Sequence, residues 1–352
     1  MTGSLTGNEA VNGGAVYQAS GTLTVSGSLS DNASSSSGGA VYQAGGTFTV
    51  EANGSLSDNT ATNNGGAVYQ AGGTMENNGT ILDNSAANGG GIYRVGGTLT
   101  VGGALSGNTA SENGGGFYSV GGAVTVTGTF GGAEEGAGNT AANGGAVYVS
   151  GTTLNLNGAS FSGNTSSTNG GAMYALNAIT VIGGTWSNNA AVEAGAASFN
   201  GNTSTGNGGA LYMEGGSVTV MNASSALNAN KAENGGAIYA TSGAITLSNG
   251  SLTDNEASAS GGAIYAASAS VTVSGGSVST NTAAQGNGGA VYAGSGTVNV
   301  SGGTLSGNSA ENGFGGAVYA SSGTVNYTGG NINGGNSAVN GAAIYVGSGI
   351  KR

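Results

Sequence analysis

The residues able to do chemistry are few, and their spacing tells more than their types. Asp31, Asp58 and Asp83 recur at the same point of a repeated phrase, 27 and then 25 residues apart. If the phrase stacks, their carboxylates form a column, and like charges that close repel unless one is protonated or a cation bridges them. Asp31, Asp58 and Asp83 are therefore candidate metal ligands, with Arg94 in the next turn as the nearest cation. The plainer reading makes them solvated turn aspartates, because Gly and Asn replace them in most other turns. Clustered acids on a stacked β fold also raise the question of polysaccharide cleavage. His and Cys are both absent, however, which removes the commonest general base and the thiol nucleophile. The chain is expected to be non-catalytic and to need no cofactor.

Thirteen of the 14 tyrosines close one five-residue phrase that runs the length of the chain. It reads Gly-Gly-Ala-Val-Tyr at Tyr17, Tyr42, Tyr69, Tyr148, Tyr292 and Tyr319, and recurs with small changes at Tyr93, Tyr118 and five other positions. If the apolar residue before each Tyr points inward, the rings form an outward column. Such a strip suits sugar rings or a partner protein, or it fixes register as cross-strand aromatic pairs do. Thr24, Thr49 and Thr100 form a second candidate surface. A flat threonine array can order water, which raises ice binding, though β-propensity alone also accounts for Thr there. A third column, with Asn32, Asn59, Asn84, Asn108, Asn164, Asn255 and Asn308, ends a recurring Leu/Phe-Ser-Gly/Asp-Asn phrase. Stacked at a corner, these amides can bond to one another and to turn backbone, a structural ladder.

The elements that must hold these columns follow from one turn of the repeat. In residues 13–37, segments rich in Val, Leu, Thr and Tyr are bounded by Gly, Asn or Ser, which reads as strands with turn punctuation. Leu23/Val25, Phe48/Val50 and Leu99/Val101 alternate with outward Thr24, Thr49 and Thr100, so one face is buried and the other wet. The prediction is an all-β, single parallel β-helix over residues 1–352, with three short strands in each of about 14 turns of about 26 residues. Glycine is abundant, 77 of 352 residues, but 37% of the chain is apolar and in phase with the repeat, so a core can form. Proline is absent, leaving every strand its backbone donors. The period breaks twice. Tyr118 to Tyr148 spans 30 residues and Tyr174 to Tyr212 spans 38, predicting small insertions near 131–138 and 187–199.

Charge narrows the partners. Four Lys+Arg stand against 15 Asp+Glu, for a net charge of −11, so there is no basic stripe to meet nucleic acid or an anionic membrane. No apolar run is long enough for a transmembrane segment. The chain opens and closes in mid-repeat, which predicts a segment of a longer protein.

Two alternating phrases, Gly-Gly-Ala-Ile/Val-Tyr and Phe-x-x-Asn, resemble the repeats of the chlamydial polymorphic outer membrane proteins and related bacterial extracellular-repeat proteins. Residues 161–174 look like such a unit in full, and the resemblance covers nearly the whole chain. Most units here carry Leu in place of Phe, with Phe161 and Phe199 matching completely. The resemblance implies a right-handed β-helix passenger on the bacterial surface, exported by an autotransporter route and used for adhesion. Its partners would be a host-cell or surface receptor, or a glycan. Competing expectations are a fibre built by end-to-end self-association, a tailspike-like polysaccharide-binding or -cleaving protein, and an ice-binding solenoid.

Overall fold

The computed structural model describes all residues except 133, 135, 177–178, 183–197, 349 and 352. The chain is an all-β parallel β-solenoid of about 12 turns, with no helix among the described residues. The expectation of about 14 turns is slightly high. The insertion near 187–199 falls largely outside the described residues, as do two positions of the one near 131–138.

One turn shows the construction. Val16–Gln18 carries the tyrosine, Thr22–Val25 the threonine, Ser28–Ser30 the leucine, and Ala33–Ser37 follows the asparagine corner. The serine-rich stretch expected as a turn is thus a strand of its own, paired in parallel with its counterparts above and below. Four strand segments per turn lie on three sheets, because the threonine and leucine strands share one. Each strand pairs with the same strand of neighbouring turns, so almost every residue sits beside its own equivalent: Tyr17 on Tyr42, Leu23 on Phe48, Leu29 on Leu56.

The chain forms two compact units. The first comprises Met1–Leu154, Ala159–Ser166 and Ala172–Tyr174; the second comprises Asn155–Gly158, Ser167–Gly171 and Ala175–Arg352. In the first, three apolar columns fill the interior: Phe48–Met75–Leu99–Val124, Leu56–Ile81–Leu105–Phe130 and Val41–Val68–Ile92–Phe117, all fully or almost fully buried. In the second, Val218–Ile245–Val271–Val298, Leu227–Leu252–Val278–Leu305 and Leu211–Ile238–Ile264–Val291 do the same. Each such side chain contributes about 1.5–3 kcal/mol by leaving water. Burial repeated at every turn is what holds so glycine-rich a backbone.

The corners explain the glycines and the aspartates. Gly65 of the Gly-Gly pair has φ +67°, and a Cβ on Gly66 would stand 2.1 Å from the Gly90 carbonyl of the next turn. One glycine is needed for its conformation and its neighbour for close approach. At the other corner the residue before nearly every ladder asparagine is left-handed, Gly138 before Asn139 being an exception. Gly107 and Gly307 fill it without strain, and so, at φ 55–58°, do Asp31, Asp58, Asp83 and Asp254 at small cost. Ala229 and Thr280 occupy the same position at φ 53° and 55°. A β-branched residue there is strained, so Thr280→Gly is expected to raise the unfolding free energy by about 1 kcal/mol. Urea denaturation checks this. An unchanged or lower midpoint would contradict it.

Candidate functional site

The most regular surface feature is the tyrosine column. In the first unit the rings of Tyr17, Tyr42, Tyr69, Tyr93, Tyr118, Tyr148 and Tyr174 stack one on the next. Their centroids are 4.7–5.4 Å apart and interplanar angles run from 3° to 17°. Tyr212 to Tyr345 repeat the pattern in the second unit at 4.4–5.5 Å. The spacing is that of parallel strands, about 4.8 Å, so the stack is a direct product of register. Tyr17 is 58% exposed, and the others named here are half-buried. Burial, then the neighbouring Tyr118 and Tyr69, push the Tyr93 hydroxyl up to about 12; burial, Glu214 and Tyr239 do the same to Tyr212. These phenols stay neutral near pH 7 and act as hydrogen-bonding groups, not as acids or bases.

The asparagine column is a closed hydrogen-bond chain. Asn84 Nδ2 donates to Asn108 Oδ1 at 3.0 Å and to the Leu56 carbonyl at 3.0 Å. Asn84 Oδ1 in turn accepts from Asn59 Nδ2 and from the Asn59 backbone N–H, both at 2.9 Å. The amide's capacity is filled, and Asn84 is fully buried. The pattern runs through Asn32, Asn59, Asn84, Asn108, Asn139 and Asn164 in the first unit. It runs again through Asn202, Asn230, Asn255, Asn281 and Asn308 in the second. An amide both donates and accepts, so Asn can neighbour itself here with its capacity filled.

Two further polar columns are not evident from the motif. A second asparagine series, immediately before the Gly-Gly pair, bonds in the opposite sense: Asn113 Nδ2 donates back to Asn88 Oδ1 at 2.9 Å, Asn143 to Asn113 at 3.1 Å, and Asn234 to Asn207 at 3.1 Å. The recurrent Asn-Gly-Gly spelling was the available signal. The residue after the tyrosine, turned inward, latches the next corner. Gln18, Gln43 and Gln70 each donate through Nε2 to two corner carbonyls, one of them in the following turn. Arg94 takes this place next. It is 2% exposed and donates to Ser119 Oγ, Gly121 O and Gly97 O.

The other sequence candidates are placed as follows. Asp31, Asp58 and Asp83 are exposed at successive corners, and Arg94 is turned into the interior away from that surface. Among the described residues no group of three or more His, Cys, Asp or Glu is disposed to hold a metal ion. Thr24, Thr49 and Thr100 lie half-buried in one column, interrupted by Glu76 between Thr49 and Thr100. Shallow clefts flank the strand after the asparagine corner: in the first unit around Glu9, Val11, Ser34 and Thr60, in the second around Asp254, Glu256, Thr280 and Glu311. Glu256 there pairs with Lys231 at 2.7 Å, with both side chains about half exposed.

The model of the Chlamydia polymorphic membrane protein (Chlamydia_PMP) repeat matches residues 53–71 and 196–214. At these two places the chain is similar to that repeat. The first match runs from the loop before Leu56, through Asn59, to Tyr69; the second takes in Phe199, Asn202 and Tyr212. Each match therefore takes in one Leu- or Phe-bearing strand, one ladder asparagine and one stacked tyrosine, and stops short of the threonine strand. No curated protein and no solved structure matches the chain.

Replacing Asn84 with Leu keeps the branching but removes the acceptor of the Asn59 N–H groups and the donor to the Leu56 carbonyl, and leaves Asn108 Oδ1 with the backbone N–H alone. A loss of roughly 3 kcal/mol or more in unfolding free energy is expected, against less than 1 kcal/mol for an exposed position such as Thr60→Ser. Chemical denaturation of the two variants side by side decides it. Equal, small effects would show that the ladder bears little of the stability.

Proposed function

We propose that this chain is a non-catalytic repeat segment of a bacterial surface protein, an adhesin or spacer that engages partners shallowly and at many points. The observation that carries this reading is that both repeat matches run through the same three consecutive strands, from the one before the ladder asparagine to the one that carries the stacked tyrosine. The family's own name, polymorphic membrane protein, supports a surface location. The columns supply a mechanism: the same group is offered at every turn, so a partner held weakly by one is held by several at once, and avidity exceeds the affinity of any single contact. The polar chemistry found is hydrogen bonding and stacking, with phenols held neutral and amides saturated by one another. A receptor or glycan is the partner class that such a surface suits.

The test is retention under flow. Beads carrying the chain are expected to remain on epithelial monolayers when beads carrying serum albumin wash away. Soluble chain should compete less well than bead-bound chain, as avidity requires. Equal loss of both bead types would remove the adhesive reading and leave the spacer.

A further inference from the structure

The ring stacking that makes the tyrosine column regular also restricts what it can bind. Tyr93 lies between Tyr69 and Tyr118, with centroids at 5.4 and 4.7 Å and planes within 7° of parallel. Both of its faces are covered by its own equivalents. A sugar that needs an aromatic face to lie on finds none here, so recognition must pass through ring edges and hydroxyls, each neutral and able both to donate and to accept.

Beside those edges runs a second outward column. Two residues after each tyrosine the chain places Ala44, Ala71, Val95 and Val120 in successive turns, side by side through the parallel backbone bonds of that strand. Val95 and Val120 are 41% and 39% exposed, among the most exposed large apolar side chains described. The strip therefore has an apolar floor along one side of a file of phenols. Charge restricts the occupant further. Arg94, between Tyr93 and Val95, is buried and engaged with Ser119 and two carbonyls. Burial first, and then the carboxylate of Glu112, raise the pKa of Tyr118. The local field is negative, with no cation presented.

We propose that the strip of Tyr69, Tyr93, Tyr118, Val95 and Val120 binds a neutral polysaccharide, whose pyranose rings rest their apolar faces on the valines and hydrogen-bond edge-on to the phenols. An anionic glycan is repelled by Glu112, and an aromatic or purely apolar ligand leaves the phenol hydroxyls unpaired. This inference rests on the surface-binding reading and gives it a ligand class. It also exchanges the face-stacking expected of exposed tyrosines for edge recognition.

Affinity electrophoresis of the full chain tests it, in gels containing hydroxyethyl cellulose, mannan or dextran, with heparin as the polyanion. At least one neutral polymer is expected to retard the chain, and heparin is not. Tyr69→Phe/Tyr93→Phe/Tyr118→Phe keeps the ring stack while deleting three hydroxyls, and should weaken retardation about tenfold. Val95→Ser/Val120→Ser should weaken it through loss of the floor. Circular dichroism and urea midpoints establish that both variants are folded. Retardation of the triple phenylalanine variant equal to that of the parent would overturn edge recognition, and so would stronger retardation by heparin than by any neutral polymer. If chain-coated beads hold to cells but no neutral polymer retards the chain, this inference fails and the adhesive reading stands. If the beads wash off while mannan or another neutral polymer retards the chain, the reverse holds.

Discussion

In this fold the neighbour of almost every residue is the same residue one turn away. Parallel pairing in register imposes that condition, and it selects which side chains can be used at all. An amide can neighbour an amide because it both donates and accepts, as at Asn59, Asn84 and Asn108. A phenol can neighbour a phenol through its ring, and Leu, Ile, Val and Phe can do so by packing. A charge cannot neighbour its like without repulsion, which accounts for a chain only 5% charged. The exceptions fit the rule: Lys231 sits on Glu256, and Glu76 sits between two threonines. Asp31, Asp58 and Asp83 do stack, but at an exposed corner, where water screens them and the left-handed backbone favours Asp over most alternatives.

The same condition shapes function. A solenoid that tolerates little charge presents a surface of hydroxyls, amides and small apolar groups, repeated at strand spacing. Repetition favours ligands that are themselves repetitive or that cover many turns, and it disfavours a site assembled from unlike groups, which is what catalysis requires. The clefts beside the post-asparagine strand and the strip beside the tyrosines are where unlike columns meet, and so where selectivity can arise.

Much of this was legible in the chain because the determinants are local and periodic. The alternation at Leu23-Thr24-Val25, the asparagine phrase and the tyrosine phrase each predict a column, and the register pairs them as the period implies. What escaped depends on geometry between turns. The stretch Ala33–Ser37 has a turn-like composition yet is extended, since its backbone pairs on both sides and overrides weak propensity. The inward latch of Gln18, Gln43, Gln70 and Arg94 was hidden because a polar residue beside an exposed tyrosine reads as exposed too. Its partners are carbonyls of the following corner, which no side-chain pattern announces. The opposed amide series at Asn88, Asn113 and Asn143 reads as turn residues before Gly-Gly, and its polarity appears only in three dimensions.

The chain contains no cysteine, so a pair of spin labels can be placed without background. Labels at Thr24→Cys and Thr125→Cys, four turns apart in the threonine column of the first unit, test the in-register account most directly. Four strand spacings predict a backbone separation of about 19 Å, with a narrow distribution of label distances around it. A broad distribution, or a separation beyond about 30 Å, would mean that successive turns do not lie like on like.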